Sequence, residues 1–336
     1  MRISIVIPCY DLGEFLPEAV RSAKDVDYDD KEIVIVDDGS TDMKTLAVLR
    51  DLNVATRRSV PLKIIRRKQG GVSAARNTGI REAQGRYILP LDADDRLRPD
   101  FPGRAAAVLD DNADVGVVYG SVQRFGESSE RWDFPDVDPA GLLVANCVPV
   151  CALFRRQVWL DCGGYDENIE SHEDWELWIN ALKHGWAFHR LPQVICDYRN
   201  RGDSMVSRWN KPGVRGDVTR YLCRKHRELY VRSLPEVLAL KELYILELSK
   251  VLESRETSLR SHSALMRQQQ RELEEHGRAL RERIDFIEEV TKAFRRLEAE
   301  LQETRGRLDA REAELRAIHA TRWWKLASLL ARLAGR

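Results

Sequence analysis

The sequence has no excess of charge of either sign, because its 54 basic residues balance its 54 acidic ones. Proteins that bind nucleic acid through its phosphates normally carry a basic excess, so this balance argues against a general nucleic-acid binder. The sequence also lacks any apolar run of the ~18 residues that a membrane-spanning helix needs. Its first residues lead directly into an apolar stretch at 3–7, which is not typical of a signal peptide. We therefore expect a cytoplasmic protein that meets a membrane only from its inner surface.

Cysteine pairs with metal-binding or redox spacing are absent as well. The six cysteines are Cys9, Cys147, Cys151, Cys162, Cys196 and Cys223. They form no Cys-x-x-Cys pair, so we expect reduced, mostly buried thiols. The sequence also has no Gly-x-Gly-x-x-Gly after its first apolar run and no Gly-x-x-x-x-Gly-Lys-Ser/Thr. The first absence disfavours a dinucleotide-binding oxidoreductase, and the second excludes a P-loop.

Short apolar runs alternate with helix-like stretches over the first hundred residues. The runs lie at 3–7, 32–36, 62–65 and 87–91. Between the first two runs, apolar residues recur at helical spacing over 13–24. Alternation of strand and helix predicts a parallel sheet with helices on both faces. In such sheets ligands bind at the carboxyl ends of the strands.

Acidic clusters follow two of these runs, where the predicted strands end. Asp37 and Asp38 follow the second run, and Asp92 and Asp94 follow the fourth. Carboxylates that lie this close repel one another unless a cation lies among them. Their oxygens suit Mg²⁺ or Mn²⁺, which could stabilise the charge on a diphosphate leaving group. An isolated Asp-x-Asp pair is usually a solvated turn, but its position here makes it a candidate metal site.

Six short motifs follow one another at 4–10, 32–42, 71–79, 87–95, 163–167 and 172–178. They include EIVIVDDGSTD, YILPLDADD and HEDWELW. In this order they resemble the motifs of the family 2 glycosyltransferases. The resemblance implies a GT-A fold, which is a Rossmann-like mixed α/β sheet flanked by helices. It also implies metal-dependent, inverting transfer of a sugar from a nucleoside-diphosphate donor, of UDP or dTDP type, to a hydroxyl of a glycan or lipid-linked acceptor. Assembly of a bacterial cell-surface polysaccharide would fit this chemistry.

The resemblance also implies donor-binding roles for the matching residues. Pro8 and Tyr10 would line the nucleotide base and ribose. Either Asp37 or Asp38 would accept a hydrogen bond from the imide N–H of uracil or thymine. Arg76 would lie near the diphosphate.

The metal ligands and the general base follow from the same resemblance. Asp92 would contact ribose or metal, and Asp94 would be the principal metal ligand, for Mn²⁺ or Mg²⁺. Asp174 would take the proton from the acceptor hydroxyl, on the face opposite the leaving diphosphate. Two alternatives stay open, since Asp174 could simply be an acidic residue favoured by a helix N-terminus, or Glu173 could be the base.

Three further features of the catalytic region are candidates for substrate contacts. Trp175 and Trp178 are either core residues or a surface on which an acceptor sugar stacks. Residues 198–205 resemble the closing segment of the family. Many family members have a His where Arg201 stands in it, and since arginine cannot ligate a cation, we expect Arg201 to contact the diphosphate directly. Contacts that determine the donor sugar are expected between Gly120 and Cys162.

From about residue 236 the pattern changes to one apolar residue in every seven. Twelve successive positions from Leu238 to Leu315 follow this spacing without a break, which is typical of a coiled coil. The companion positions three residues on are polar in the middle of the segment. We predict a long helix of ~120 Å that joins a partner helix in a homo-oligomer. A solvated single helix is the alternative.

The last stretch, 321–336, is basic and contains paired tryptophans. Trp323 and Trp324 accompany several arginines and a lysine, and no acidic residue follows Glu314. A basic amphipathic helix of this kind suits an anionic membrane surface. Docking on its own or a neighbouring subunit is the alternative.

The chain is too long for one compact core, and these patterns divide it into three segments. We predict a catalytic domain at 1–222, a linker and coiled-coil helix at 223–320, and the basic helix at 321–336. Two other functions are alternatives. One is an inert, transferase-like scaffold that acts through its coiled coil. The other is a nucleotidyltransferase, which would normally show a glycine-rich phosphate loop after the first strand.

Overall fold

The computed structural model describes residues 2–55, 60–201 and 212–334. The chain separates into two compact units, Met1–Leu246 and Glu247–Arg336. The six cysteines are free thiols, and four of them are buried. Across the described ranges, no helix combines the length and the apolar character needed to cross a bilayer.

The first unit is built on a single mixed sheet, with nine strands among the described residues. The strands are β1 Ile3–Cys9, β2 Lys31–Asp37, β3 Leu62–Arg66, β4 Tyr87–Pro90, β5 Arg96–Leu97, β6 Val115–Gly126, β7 Arg131–Trp132, β8 Leu153–Arg155 and β9 Ala187–Asn200. Their order is β3-β2-β1-β4-β8-β6-β9-β5, and β7 pairs with β6. The first four strands in this order are parallel, whereas β8 runs antiparallel to β4 and to β6. This is the predicted mixed α/β sheet of a GT-A fold.

Helices cover both faces of the sheet. They are α1 Leu16–Lys24, α2 Met43–Ala55, α3 Val72–Glu82, α4 Phe101–Asp111, α5 Pro139–Val144, α6 Arg156–Asp161, α7 Glu173–Lys183, α8 Pro212–Lys225, α9 Arg227–Arg232 and α10 Leu234–Ala334. The apolar stripe of α1 packs on one face of β1 and β2. The other face carries α3 and α7. Because β1 and β2 are covered on both sides, every residue of each strand is buried.

Trp175 and Trp178 belong to the core on the α7 side of the sheet. Their exposed fractions are 2% and 0%. The indole N–H of Trp175 donates to the carbonyl of Leu142 at 2.6 Å, and that of Trp178 donates to the carbonyl of Val148 at 3.2 Å. The core interpretation is therefore confirmed, and stacking of an acceptor sugar on these rings was a wrong alternative because neither ring is accessible.

Helix α1 begins three residues later than its apolar spacing predicts. The backbone N–H of Gly13 donates to the hydroxyl of Thr45 at 2.8 Å instead of starting the helix. A Cβ at Gly13 would lie 2.3 Å from the Thr45 backbone, so only glycine fits this close approach. The contact joins the segments after β1 and β2.

The long helix α10 confirms the predicted helical extension. Its seam residues are Leu238, Ile245, Leu252, Leu259, Met266, Leu273, Leu280, Ile287, Phe294, Leu301, Leu308 and Leu315. Each is between 54% and 72% exposed. The pairing of this seam with another helix stays a prediction.

Candidate active site

The site lies where the carboxyl ends of β2, β1 and β4 meet at one edge of the sheet. The three strands are neighbours and run parallel, so the loops that follow them are adjacent. Asp11, after β1, accepts hydrogen bonds at 2.8 Å from the backbone N–H groups of Thr41 and Asp42, after β2. Asp11 has a φ of 50°, a left-handed conformation that short polar residues tolerate. These contacts fix the shape of the two loops that would face a nucleotide.

The two residues predicted to line the nucleotide base, Pro8 and Tyr10, differ in accessibility. Pro8 is buried within β1, where it lies opposite Val36 in the register with β2. Tyr10 follows the strand and is 41% exposed. Tyr10 therefore presents a ring to this edge of the sheet, whereas Pro8 can contribute only through its position in the strand.

Asp37 is buried at the end of β2 and already accepts hydrogen bonds from the protein. One carboxylate oxygen accepts from the backbone N–H of Ser40 at 2.8 Å. The other lies 3.4 Å from the guanidinium of Arg66. Its carboxylate thus organises the turn that begins after β2.

Asp38 is held even more firmly. Its carboxylate accepts from Arg67 at 2.6 Å, from the backbone N–H of Gly70 at 3.1 Å and from that of Gly71 at 2.8 Å. Gly71 is the N-cap of α3 and has a φ of 90°, which favours glycine. Asp38 therefore connects the end of β2 to the start of α3. Which of Asp37 and Asp38 would bind the nucleotide base stays open.

The Asp-x-Asp pair follows β4, and its charge is concentrated. Asp92 and Asp94 are partly exposed, whereas Asp95 is 2% exposed. Burial and the negative charge of Asp92 raise the pKa of Asp94. Burial and the charges of Asp92 and Asp94 hold the pKa of Asp95 well above its usual value. Excess negative charge of this kind favours a cation beside the pair.

The protein supplies only part of a metal coordination shell at this position. Within the described ranges, no group of three or more His, Cys, Asp or Glu side chains is arranged to hold a metal ion. Two carboxylates nevertheless suit a hard cation, because such an ion can fill its remaining coordination positions with phosphate oxygens and water. Asp92 and Asp94 therefore fit a cation shared with a diphosphate.

Arg201 contacts Asp94 directly. Its guanidinium Nη2 and Nε lie 2.8 Å and 3.0 Å from the same oxygen, Asp94 Oδ2. The guanidinium also lies over the ring of Phe15, 4.9 Å from its centroid. Arg201 thus brings positive charge to the Asp-x-Asp pair. The rest of the predicted closing segment, residues 202–205, lies outside the described residues.

Arg76 of α3 joins two carboxylates rather than facing open solvent. It is 2% exposed and contacts Asp92 at 2.6 Å through one nitrogen and Glu173 through another. Although burial favours the neutral form, Asp92 and Glu173 hold the pKa of Arg76 above its usual value. Arg76 therefore connects the loop after β4 to the first residue of α7.

Asp174 is the second residue of α7 and accepts two hydrogen bonds. One oxygen accepts from the side-chain amide of Asn146 at 2.9 Å, and the other accepts from the backbone N–H of Trp175 at 2.8 Å. Burial and the neighbouring charge of Glu173 raise the pKa of Asp174 to about 7, against the opposing effect of Arg76. A carboxylate with this pKa can accept a proton near neutral pH. Glu173 is instead engaged by Arg76, so the geometry favours Asp174 over Glu173 as a base.

Two residues of the site were missed by sequence reasoning. Asn146 lies in an unpatterned segment between α5 and β8, and no local signal marks it. Its amide oxygen accepts from the backbone N–H of Val148 at 3.2 Å, so its NH₂ group must face Asp174. Arg199 donates from its backbone to Asp95 at 2.8 Å and from its side chain to the Asp94 carbonyl at 2.9 Å. Its position in the predicted closing segment could have indicated Arg199.

Comparison with known proteins identifies the type of domain. Residues 4–161 match the family described as glycosyl transferase family 2. A chondroitin synthase of Pasteurella multocida is 26% identical over 206 residues, which are 60% of this chain and 21% of that protein. The chain spans only 21% to 26% of the length of the first curated relatives that it matches.

Solved structures share the fold. TarS residues 1–349 of S. aureus, in complex with UDP-GlcNAc, superpose with a TM-score of 0.53 at 21% identity, covering 62% of this chain and 61% of that TarS fragment. The mannosyltransferase PcManGT of Pyrobaculum calidifontis, in complex with GDP-Man and Mn²⁺, superposes with a TM-score of 0.50 at 18% identity, covering 74% and 80%. Such likeness at low identity supports the GT-A fold.

Proposed function

Since residues 4–161 match glycosyl transferase family 2, we propose that this chain is a metal-dependent, inverting glycosyltransferase. It moves a sugar from a nucleoside-diphosphate donor, of UDP or dTDP type, to a hydroxyl of a glycan or lipid-linked acceptor. The observation that carries the proposal is the link through Arg76 between Asp92 of the Asp-x-Asp pair and the start of the helix that bears Asp174. A leaving-group site and a proton acceptor are thereby held in one rigid framework.

Donor binding uses the edge formed by the loops after β1 and β2. Tyr10 is exposed beside this edge and lies against the base. Either Asp37 or Asp38 accepts a hydrogen bond from the imide N–H of the nucleotide base. The TarS and PcManGT complexes hold UDP-GlcNAc and GDP-Man respectively, which supports a nucleotide sugar as the donor class.

The reaction is a single displacement. Asp174 takes the proton as the acceptor oxygen bonds to the anomeric carbon, and the bond from that carbon to the diphosphate oxygen breaks. The nucleoside diphosphate leaves from the opposite face, so the anomeric centre is inverted. The side-chain amide of Asn146 and the backbone N–H of Trp175 each donate to one oxygen of Asp174. These two hydrogen bonds keep the carboxylate oriented as a general base.

Positive charge for the leaving diphosphate comes from two sources. Asp92 and Asp94 would hold Mn²⁺ or Mg²⁺, which would stabilise the developing charge when bound. Arg201, next to Asp94, contacts the diphosphate as well. Arg76 keeps Asp92 in place. A complex of the structural neighbour PcManGT contains Mn²⁺, which supports a divalent cation in this fold.

The acceptor and the location belong to the same proposal. The similarity to a chondroitin synthase supports a role in polysaccharide assembly. Trp323 and Trp324 are 68% and 73% exposed within a basic helical segment, which supports peripheral contact with an anionic membrane. We assign catalysis to residues 1–222, association to 223–320 and membrane contact to 321–336.

The test is release of nucleoside diphosphate from a panel of nucleotide sugars, each with Mn²⁺, Mg²⁺ or EDTA. We expect one donor to react, only with a divalent cation, and Asp94→Asn to abolish release. Asp174→Asn should lower kcat by at least about 10²-fold while donor KM changes little. Asp111→Asn, on the exposed end of α4, is the matched control and should behave as the unmodified protein. Failure to bind or turn over any donor, with acceptor glycans present, would contradict the proposal.

A further inference from the structure

The last part of the α10 seam exposes apolar side chains on one side of the helix. Its residues are Phe294, Leu301, Leu308 and Leu315, which are 62%, 65%, 59% and 54% exposed. The companion positions three residues on are Val290, Leu297, Thr304, Arg311 and Ile318. Of these, Val290, Leu297 and Ile318 are apolar and 50%, 62% and 45% exposed. Apolar residues at alternating spacings of three and four form the seam of a coiled coil. This stretch therefore exposes apolar side chains of the kind that a coiled coil buries between its helices.

Charged residues flank this seam in a complementary order. The residues immediately before three successive seam positions are Glu300, Arg307 and Glu314. The residues four places after those positions are Arg305, Glu312 and His319. In a parallel, in-register pair of helices, a residue of the first set faces the residue five places later in the other helix. All three pairs then join an acidic residue to a basic residue.

We propose that residues 287–319 pair with the same segment of a second copy of this chain as a parallel, in-register, two-stranded coiled coil. The exposed seam supplies the buried interface. The charge pairs Glu300–Arg305, Arg307–Glu312 and Glu314–His319, each between the two copies, determine the direction and the register.

Antiparallel pairing fits the same residues less well. An antiparallel pair centred on Arg307 places this arginine against itself and Glu300 against Glu314. If the two antiparallel helices are shifted so that Glu300 of one faces Arg307 of the other, the five seam residues from Leu238 to Met266 extend past the end of the other helix and have no partner. The parallel pair avoids both defects, and the one arginine that it places against its own copy is Arg311, at a companion position.

The middle of α10 contributes less to pairing. Its companion positions are Arg255, His262, Gln269, His276 and Arg283. In a parallel pair each of these polar side chains meets its own copy, which weakens packing at those layers. Residues 287–319 have two polar companion positions, Thr304 and Arg311, against three apolar ones, so the proposal is limited to this stretch.

Cysteine cross-linking of the full chain tests direction and register. Leu308→Cys places a thiol on the seam, where a parallel, in-register pair brings the two copies together. Ala313→Cys lies on the opposite side of the same helix and is the matched control. Mild oxidation should link most of the Leu308→Cys protein into a dimer and little of the control. Equal cross-linking of the two variants, or none of either, would overturn the proposal.

Charge reversal tests the proposed pairs themselves. Glu300→Arg alone and Arg305→Glu alone each create like-charge contacts in the homodimer, so each should dissociate about tenfold more readily, by light scattering over a concentration series. A mixture of the two variants restores opposite charges at both contacts and should recover the affinity of the unmodified chain. An antiparallel pair gives no such recovery, because residues 300 and 305 do not meet. A chain that stays monomeric at 38.6 kDa at micromolar concentrations would contradict the proposal outright.

Discussion

Among individual residues, Asp174 is distinguished from the other carboxylates by its surroundings. Asp37 and Asp38 are buried, and each is engaged by a cationic group and by backbone N–H groups of a turn. Asp174 accepts from Asn146 and one backbone N–H, while burial and the adjacent charge of Glu173 raise its pKa to about 7. It is therefore suited to change protonation state near neutral pH.

The pH dependence of the reaction follows from this pKa. The base must be ionised to accept a proton, so kcat should be lost as pH falls through about 7 and should level off above it. One unit below the pKa, kcat should be about tenfold lower than on the plateau. A kcat profile from pH 5 to 9 at saturating donor and acceptor measures this. A flat profile would show that Asp174 is not the rate-controlling base.

Asn146→Ala should shift the pH profile of kcat to higher pH. The variant removes a hydrogen bond that favours the charged form of Asp174, so the pKa of Asp174 should rise and the acidic limb should move up by about one pH unit. Glu173, Arg76 and Tyr165 also act on this carboxyl and are unchanged. Activity should fall at pH 6 and largely recover at pH 9. Asn112→Ala, on an exposed turn, should leave the profile unchanged.

Among the secondary-structure elements, the guanidinium of Arg76 determines how α3, the loop after β4 and α7 are held together. Its two ion pairs are largely inaccessible to solvent on the arginine side. Removing one member of a buried ionic network leaves the other charges buried without a partner. The stability lost is then larger than the net stabilisation that the ion pairs provide.

Arg76→Met should therefore lower the free energy of unfolding by about 3 kcal/mol. The control Arg81→Met lies one turn further along α3 on an exposed face and should change it by less than about 0.5 kcal/mol. Urea unfolding followed by tryptophan fluorescence measures both. Similar stability of the two variants would mean that the buried network contributes little.

For the chain as a whole, the catalytic domain and the tail are expected to be separable in function. Deleting residues 321–336 removes Trp323, Trp324 and the basic residues beside them. The truncated chain should no longer sediment with vesicles that contain anionic lipid, while donor hydrolysis continues. Vesicles of neutral lipid are the control and should bind the full chain weakly. Equal binding of the truncated and full chains to anionic vesicles would exclude this segment as the membrane contact.

Much of the fold was predictable because its signals are local. The apolar runs that form β1, β2 and β4, the polar clusters after them and the seven-residue repeat of α10 each depend on spacing within a short segment. The positions of Asp37, Asp92 and Asp94 at strand ends followed from the same patterns. Motif order then indicated the family, and residues 4–161 match it.

The pairings between distant segments were not predictable, because they depend on how the sheet brings those segments together. Arg76 contacts Glu173 across 97 positions of sequence, and Asn146 reaches Asp174 across 28. No spacing rule connects such residues. Local sequence was thus sufficient for the elements and the residue types of the site. The protonation of Asp174, the engagement of Glu173 and the place of Arg201 on Asp94 depend on burial and on neighbouring charge, which exist only once the chain has folded.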